Sequence, residues 1–144
     1  MEKVFMASAD NEKKNGIAVY IKEEIKALLV FADPKGRVLA IEIQINFKKI
    51  LLVVIYAPNA NQKEFYKALY TKIIELERKK ICIIGDFNAV AEDQKDYKGG
   101  NKKGREIKNR ELPKICVEMI NELNLIDIWR KIPTLYLYNH FPGR

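Results

Sequence analysis

Two apolar runs, Ile50 to Ile55 and Ile81 to Ile84, bracket a stretch in which Phe65, Leu69, Ile73 and Leu76 recur at helical spacing. Uninterrupted runs rich in isoleucine and valine read as strands buried on both faces, and the spacing between them reads as an amphipathic helix. Strand, helix and strand in that order make a βαβ unit of parallel strands, with a crossover expected to be right-handed. This unit constrains everything else. Both strands must deliver their following loops to one edge of the sheet, where open α/β sheets place their ligands.

The residues at that edge bear chemistry. The first run ends in Tyr56-Ala57-Pro58-Asn59 and the second in Gly85-Asp86-Phe87-Asn88. Pro58 keeps Ala57 out of the helical region, so the strand is released into a defined loop. Gly85 lets the backbone turn out of the sheet. If the chain stays extended, Asp86 and Asn88 point the same way and Phe87 faces the core as an anchor. Tyr56, Asn59, Asp86 and Asn88 then converge. Taken singly they have plainer readings: Asp86 as a turn or cap residue, Tyr56 as a strand-end aromatic. Asn61 with Glu64 resembles a capping box, and Arg78-Lys79-Lys80 at the far end suits the helix dipole.

Upstream, Ile17 to Ile21, Leu28 to Phe31 and residues 38–46 read as strands, with Asp33-Pro34-Lys35-Gly36 as a β-turn between the last two. Ile41, Ile43 and Ile45 alternate with Glu42, Gln44 and Asn46, the pattern of a half-buried antiparallel strand. The first third is thus a β-meander. Downstream, residues 95–114 carry eight basic side chains against three acidic ones. With Gly99, Gly100 and Gly104 they read as a loop, either a solvated surface or a phosphate contact. Pro113 suits the first turn of a helix with Ile115, Met119 and Leu123 as its apolar stripe. Leu125 to Trp129 alternates as a further strand would. The net charge of +7 favours a polyanionic partner without bearing on fold. Cys82 and Cys116 fall at apolar positions and read as buried thiols. With no apolar leader after Met1 and no membrane-length run, the expectation is an intracellular protein, nuclear or cytoplasmic.

The pair Ile-Tyr-Ala-Pro-Asn (55–59) and Ile-Gly-Asp-Phe-Asn (84–88), separated by one helix, resembles the endonuclease/exonuclease/phosphatase family. It is most similar to the apurinic-like endonuclease domain of LINE-type, non-LTR retrotransposons. Gly16 to Tyr20 and Leu125 to Arg130 are similar to linking strands of that branch. The resemblance spans residues 4–134, with 135–144 as a divergent tail. It implies a DNase I-like, four-layered α/β sandwich that cuts a DNA phosphodiester with Mg²⁺. Residue by residue, Asp86 looks like the aspartate that orients or deprotonates the attacking water, Asn88 like the asparagine on the scissile phosphate, and Tyr56 like the tyrosine donating to a phosphate oxygen. Asn59 resembles a DNA-contacting position. Lys102, Lys103 and Arg105 are the basic-loop candidates for the DNA backbone. The chemistry suits these types, with a carboxylate for the water and neutral donors for oxygens whose charge grows in the transition state.

The family's Gln-Glu-Thr glutamate and its Ser-Asp-His histidine have no counterpart in the sequence; Glu2, Glu12 and His140 stand in other contexts. The expectation is therefore a partial sandwich truncated at both ends, with no assignable metal ligand and weak or absent activity. Three readings follow: a Mg²⁺-dependent endonuclease, a catalytically dead retroelement remnant that binds nucleic acid through its basic loop, and a phosphatase of small phosphoesters. No membrane and no defined protein partner is expected.

Overall fold

The computed structural model describes residues 1–9, 16–88 and 111–128. The strands are β1 (Glu2–Ser8), β2 (Gly16–Lys22), β3 (Lys26–Ala32), β4 (Val38–Ile45), β5 (Lys48–Tyr56) and β6 (Ile81–Asp86), with helices α1 (Gln62–Glu75) and α2 (Lys114–Glu122). Strands β3 to β6 form one sheet in the order β3-β4-β5-β6, and β1 and β2 form a separate antiparallel pair. The meander is therefore broken between β2 and β3. The βαβ unit is present: β5 and β6 pair in parallel from Leu51 with Ile81 to Tyr56 with Asp86.

Alternation sorts the side chains of the larger sheet into two cores. Val38, Ala40, Leu51, Val53 and Ile55 face α1 and α2, where they meet Tyr66, Leu69, Ile73, Cys116 and Met119. Leu39 and Ile41 face the opposite way and meet Ala7, Ile17 and Ile21 from the hairpin. The result is three layers: helices, a four-stranded sheet, and a two-stranded sheet. It is a mixed α/β sandwich. Among the described residues no helix is long and apolar enough to cross a membrane.

Several sequence expectations change. Strand β4 is buried on both faces from Val38 to Ile41, because it lies between two strands and two layers, whereas Ile45 is exposed. Strand β6 is the outer strand of the described sheet, and Ile84 is exposed, so this run is not buried on both faces. Asn61 occupies the N-cap of α1 with φ 57 and no side-chain capping bond, so no capping box forms. Pro113 is the N-cap of α2 and lies outside its first turn. Helix α1 stops at Glu75, before Arg78-Lys79-Lys80, and Arg78 reaches sideways to Glu42 at 3.2 Å. Residues 125–127 form no strand, so the alternation read over 125–129 is not realised there. The 33–36 turn is as expected, with Gly36 N–H donating to the Asp33 carbonyl at 2.9 Å.

Candidate functional site

Gly85 fixes how closely β6 approaches β5. Its φ is +129, and a Cβ there would lie 2.0 Å from the Ile55 carbonyl oxygen. Glycine is needed for close approach and positive φ, and the ladder continues one residue beyond it. The chain turns later, at Asn88, whose φ is 52. Asp86 and Asn88 are therefore not set side by side by strand alternation. They are joined by a hydrogen bond, the Asn88 N–H donating to Asp86 Oδ1 at 2.8 Å, the local turn that aspartate favours.

Positive φ swings the Asn88 carboxamide across to the neighbouring loop. Its Nδ2 donates to the Ala57 carbonyl at 3.3 Å and to Asn59 Oδ1. The two loops are also tied through backbone, Ala57 N–H donating to the Asp86 carbonyl at 2.8 Å. Asp86, Asn88 and Asn59 thus form one connected group spanning the ends of β5 and β6. Tyr56 stands opposite Asp86 in the ladder and is partly exposed. Its ring lies under the Arg37 guanidinium, 5.1 Å from centroid to Cζ, within cation–π range.

Three residues that sequence reasoning did not single out build the support. Gln62 Nε2 donates to the Pro58 carbonyl at 3.0 Å and to the Asn88 carbonyl at 2.8 Å, so one side chain at the start of α1 holds both loops. Tyr66, one helical turn on, is fully buried and donates its hydroxyl to the Phe87 carbonyl at 2.7 Å. The Phe87 ring stacks on Tyr66 at 6.3 Å and 17°, and it packs against the core as the sequence suggested. Burial, then the Cys116 thiol and the Asp86 carboxylate, hold the Tyr66 phenol well above its usual range, so it stays a neutral donor. Arg37 donates through Nη1 to the Tyr56 carbonyl at 3.1 Å, and Tyr56 N–H returns a bond to the Arg37 carbonyl at 2.9 Å. The i, i+4 polar pair Gln62 and Tyr66 was the available signal for two of them; Arg37 gave none beyond a charge at the mouth of a strand.

The edge is open. A groove of about 540 Å³ lies nearby, between the 33–37 turn and α1, with Phe31, Arg37, Pro58 and Leu69 in its walls, but Asp86 and Asn88 do not line it. Among the described residues no group of three or more His, Cys, Asp or Glu could hold a metal ion. Among the described residues the edge offers one carboxylate, Asp86, already accepting a hydrogen bond. A magnesium site leans on one or two carboxylates together with the substrate's phosphate, and among the described edge residues Asp86 is the group that could supply one. Lys102, Lys103 and Arg105 lie outside the described residues, as do Trp129, His140 and the 135–144 tail.

No protein-family model and no curated protein matches the chain. Among solved structures it is similar to the endonuclease domain of TRAS1, a telomere-specific non-LTR retrotransposon. The likeness is one of fold. The TM-score is 0.58 at 14% sequence identity, over 85% of this chain and 52% of that one. The chain thus spans about half the length of its neighbour, whose DNase I-like sandwich its three layers follow.

Proposed function

We propose that the edge formed by Tyr56, Asn59, Asp86 and Asn88 engages a DNA phosphodiester and hydrolyses it slowly, in the manner of a retrotransposon endonuclease. The observation that carries this reading is the Asp86–Asn88–Asn59 connection across the ends of two parallel strands. Carboxamides and a phenol are neutral donors suited to a phosphate whose charge grows as the bond breaks, with Asn88 Nδ2 giving up one of its bonds to the Ala57 carbonyl and Asn59 Oδ1 to reach it. A carboxylate is not, since beside a phosphate it repels. Asp86 at such an edge weakens simple binding and is of use for holding or deprotonating a water. With Asp86 as the one carboxylate among the described edge residues, slow hydrolysis is expected, and no step is assigned to a metal ion.

The exposure of Tyr56, Asn59 and Asp86 suits a polymer backbone, whereas a small phosphoester would draw its affinity from an enclosing pocket. The basic balance of +7 points the same way. The second reading, binding without cleavage, draws on the one-carboxylate donor set. Exchange of Asp86 for asparagine separates the two. The expected result is equal or tighter affinity for a duplex oligonucleotide, because a repelling charge is removed, together with loss of cleavage. Weaker binding by D86N would place Asp86 among the groups that hold DNA and overturn its assignment to the water.

A further inference from the structure

The end of the sheet opposite the candidate site carries a different set of groups. Strands β4 and β5 are joined by a two-residue turn, Asn46-Phe47, since Ile45 pairs directly with Lys48. Both turn residues have positive φ, 50 and 64, as the tight hairpin turn requires. Asparagine tolerates this and glycine is favoured at the second position, whereas a bulky aromatic there is an outlier. Phe47 is also 95% exposed, so its ring gains nothing from the core. A residue that suits neither its backbone nor the fold points to use outside the fold.

Its surroundings supply the partner's character. Lys48 and Lys49 follow it, both exposed, and Lys26 lies two strands along on the same rung as Gln44 and Lys49. Arg78, Lys79 and Lys80 arrive at this end because α1 stops at Glu75. The Lys80 carbonyl accepts from Leu51 N–H at 2.8 Å, which ties that segment beside the start of β5. Acidic groups at this end include Glu77, Glu42, which is paired with Arg78, and Glu23 and Glu24 in the connection before Lys26. An exposed aromatic with lysines at the same end of the sheet has the two parts of a single-strand binding surface: a face on which a base can stack and cations for the flanking phosphates. A membrane-surface reading fits less well, since interfacial aromatics are typically Trp or Tyr with a polar tip and one Phe offers little insertion area.

We infer that Phe47 with Lys48, Lys49, Lys79 and Lys80 forms a second nucleic-acid contact, which takes single-stranded DNA or RNA by stacking one base on Phe47. The nine residues of β5 put it about 30 Å from Tyr56. A strand held there lies outside the cleavage edge. The inference does not rest on hydrolysis, because binding is read in EDTA, where loss of nicking and loss of this contact are separate results.

The test is fluorescence anisotropy of the full chain with an oligothymidylate of about 20 nucleotides and with an abasic oligomer of the same length. Phe47→Gly removes the ring and suits the positive φ, so the fold is kept. It should weaken oligothymidylate binding by about tenfold while leaving the abasic oligomer nearly unchanged. A Lys79→Gln/Lys80→Gln pair should weaken both oligomers and lower the salt slope by between about one and two. The inference is overturned if F47G binds oligothymidylate as wild type does. It is also overturned if the paired variant keeps the wild-type slope, or if phosphatidylserine–phosphatidylcholine vesicles capture the protein through Phe47 and oligothymidylate does not.

Discussion

Asn88 adopts a left-handed backbone and through it reaches a loop that its own strand could not touch. Its substitution by glycine keeps the positive φ and removes only the carboxamide. Asn88→Gly should therefore cut any cleavage rate by about a hundredfold, the scale for one lost transition-state donor, with the thermal midpoint moved by a few degrees at most. Equal rates would show that the carboxamide ties loops and does not touch phosphate. Gly85 is the opposite case, structural and intolerant. Gly85→Ala forces a Cβ against the Ile55 carbonyl at positive φ and should cost about 2–4 kcal/mol in urea unfolding. A smaller loss would mean that β6 can separate from β5 at little cost. Tyr66→Phe leaves the Phe87 carbonyl without its donor, and a loss of about 1–2 kcal/mol is expected in the same measurement.

At the scale of elements, what was legible followed from local pattern and what was not depended on neighbours. The runs 50–55 and 81–84 and the period between them gave the βαβ unit, because apolar repeats report burial directly. Pro58 marked where β5 is released into its loop, whereas β6 runs one residue past Gly85 and the turn comes at Asn88. Single-strand patterns could not say how many neighbours a strand has. Residues 38–45 read as half-buried, yet Val38 to Ile41 are enclosed by layers from distant parts of the chain. Residues 125–129 alternate, yet 125–127 form no strand, and alternation by itself does not specify a pairing partner. The roles of Gln62, Tyr66 and Arg37 were hidden for the same reason. Each acts on a backbone carbonyl contributed by another segment, which no spacing reveals.

At the scale of the whole molecule, the hairpin shows how an exposed face governs behaviour. Phe5, Ala7, Ile17, Val19 and Ile21 point into the sheet, so Val4, Met6 and Tyr20 point outward and are 49%, 62% and 66% exposed. An apolar face of this kind favours association. Sedimentation should show concentration-dependent oligomers, reduced in Met6→Lys/Tyr20→Lys; a monodisperse wild-type monomer would remove the argument.

The helical core makes a second global prediction. Burial pushes the Cys116 thiol up to about 11 and raises Cys82, while Tyr66 lies higher still. Each is an acid kept neutral in the fold, so the unfolded chain releases its proton first. Stability should hold up to the usual thiol range and fall as pH rises from about 9 to about 11, by about 1.4 kcal/mol per unit for Cys116. Thermal melts across that range check it, and Cys116→Ala should flatten the slope; an unchanged slope would put the titration elsewhere.

The central claim is that Asp86 acts on water at an edge whose other groups hold the phosphate. Supercoiled-plasmid nicking in magnesium buffer, the ion the family resemblance implies, tests it most directly when wild type and Asp86→Asn are compared at equal DNA occupancy. Slow nicking by wild type and none by D86N, with both proteins folded and bound, is the predicted result. Equal nicking by the two, or a folded and DNA-bound wild type that never nicks, would contradict it.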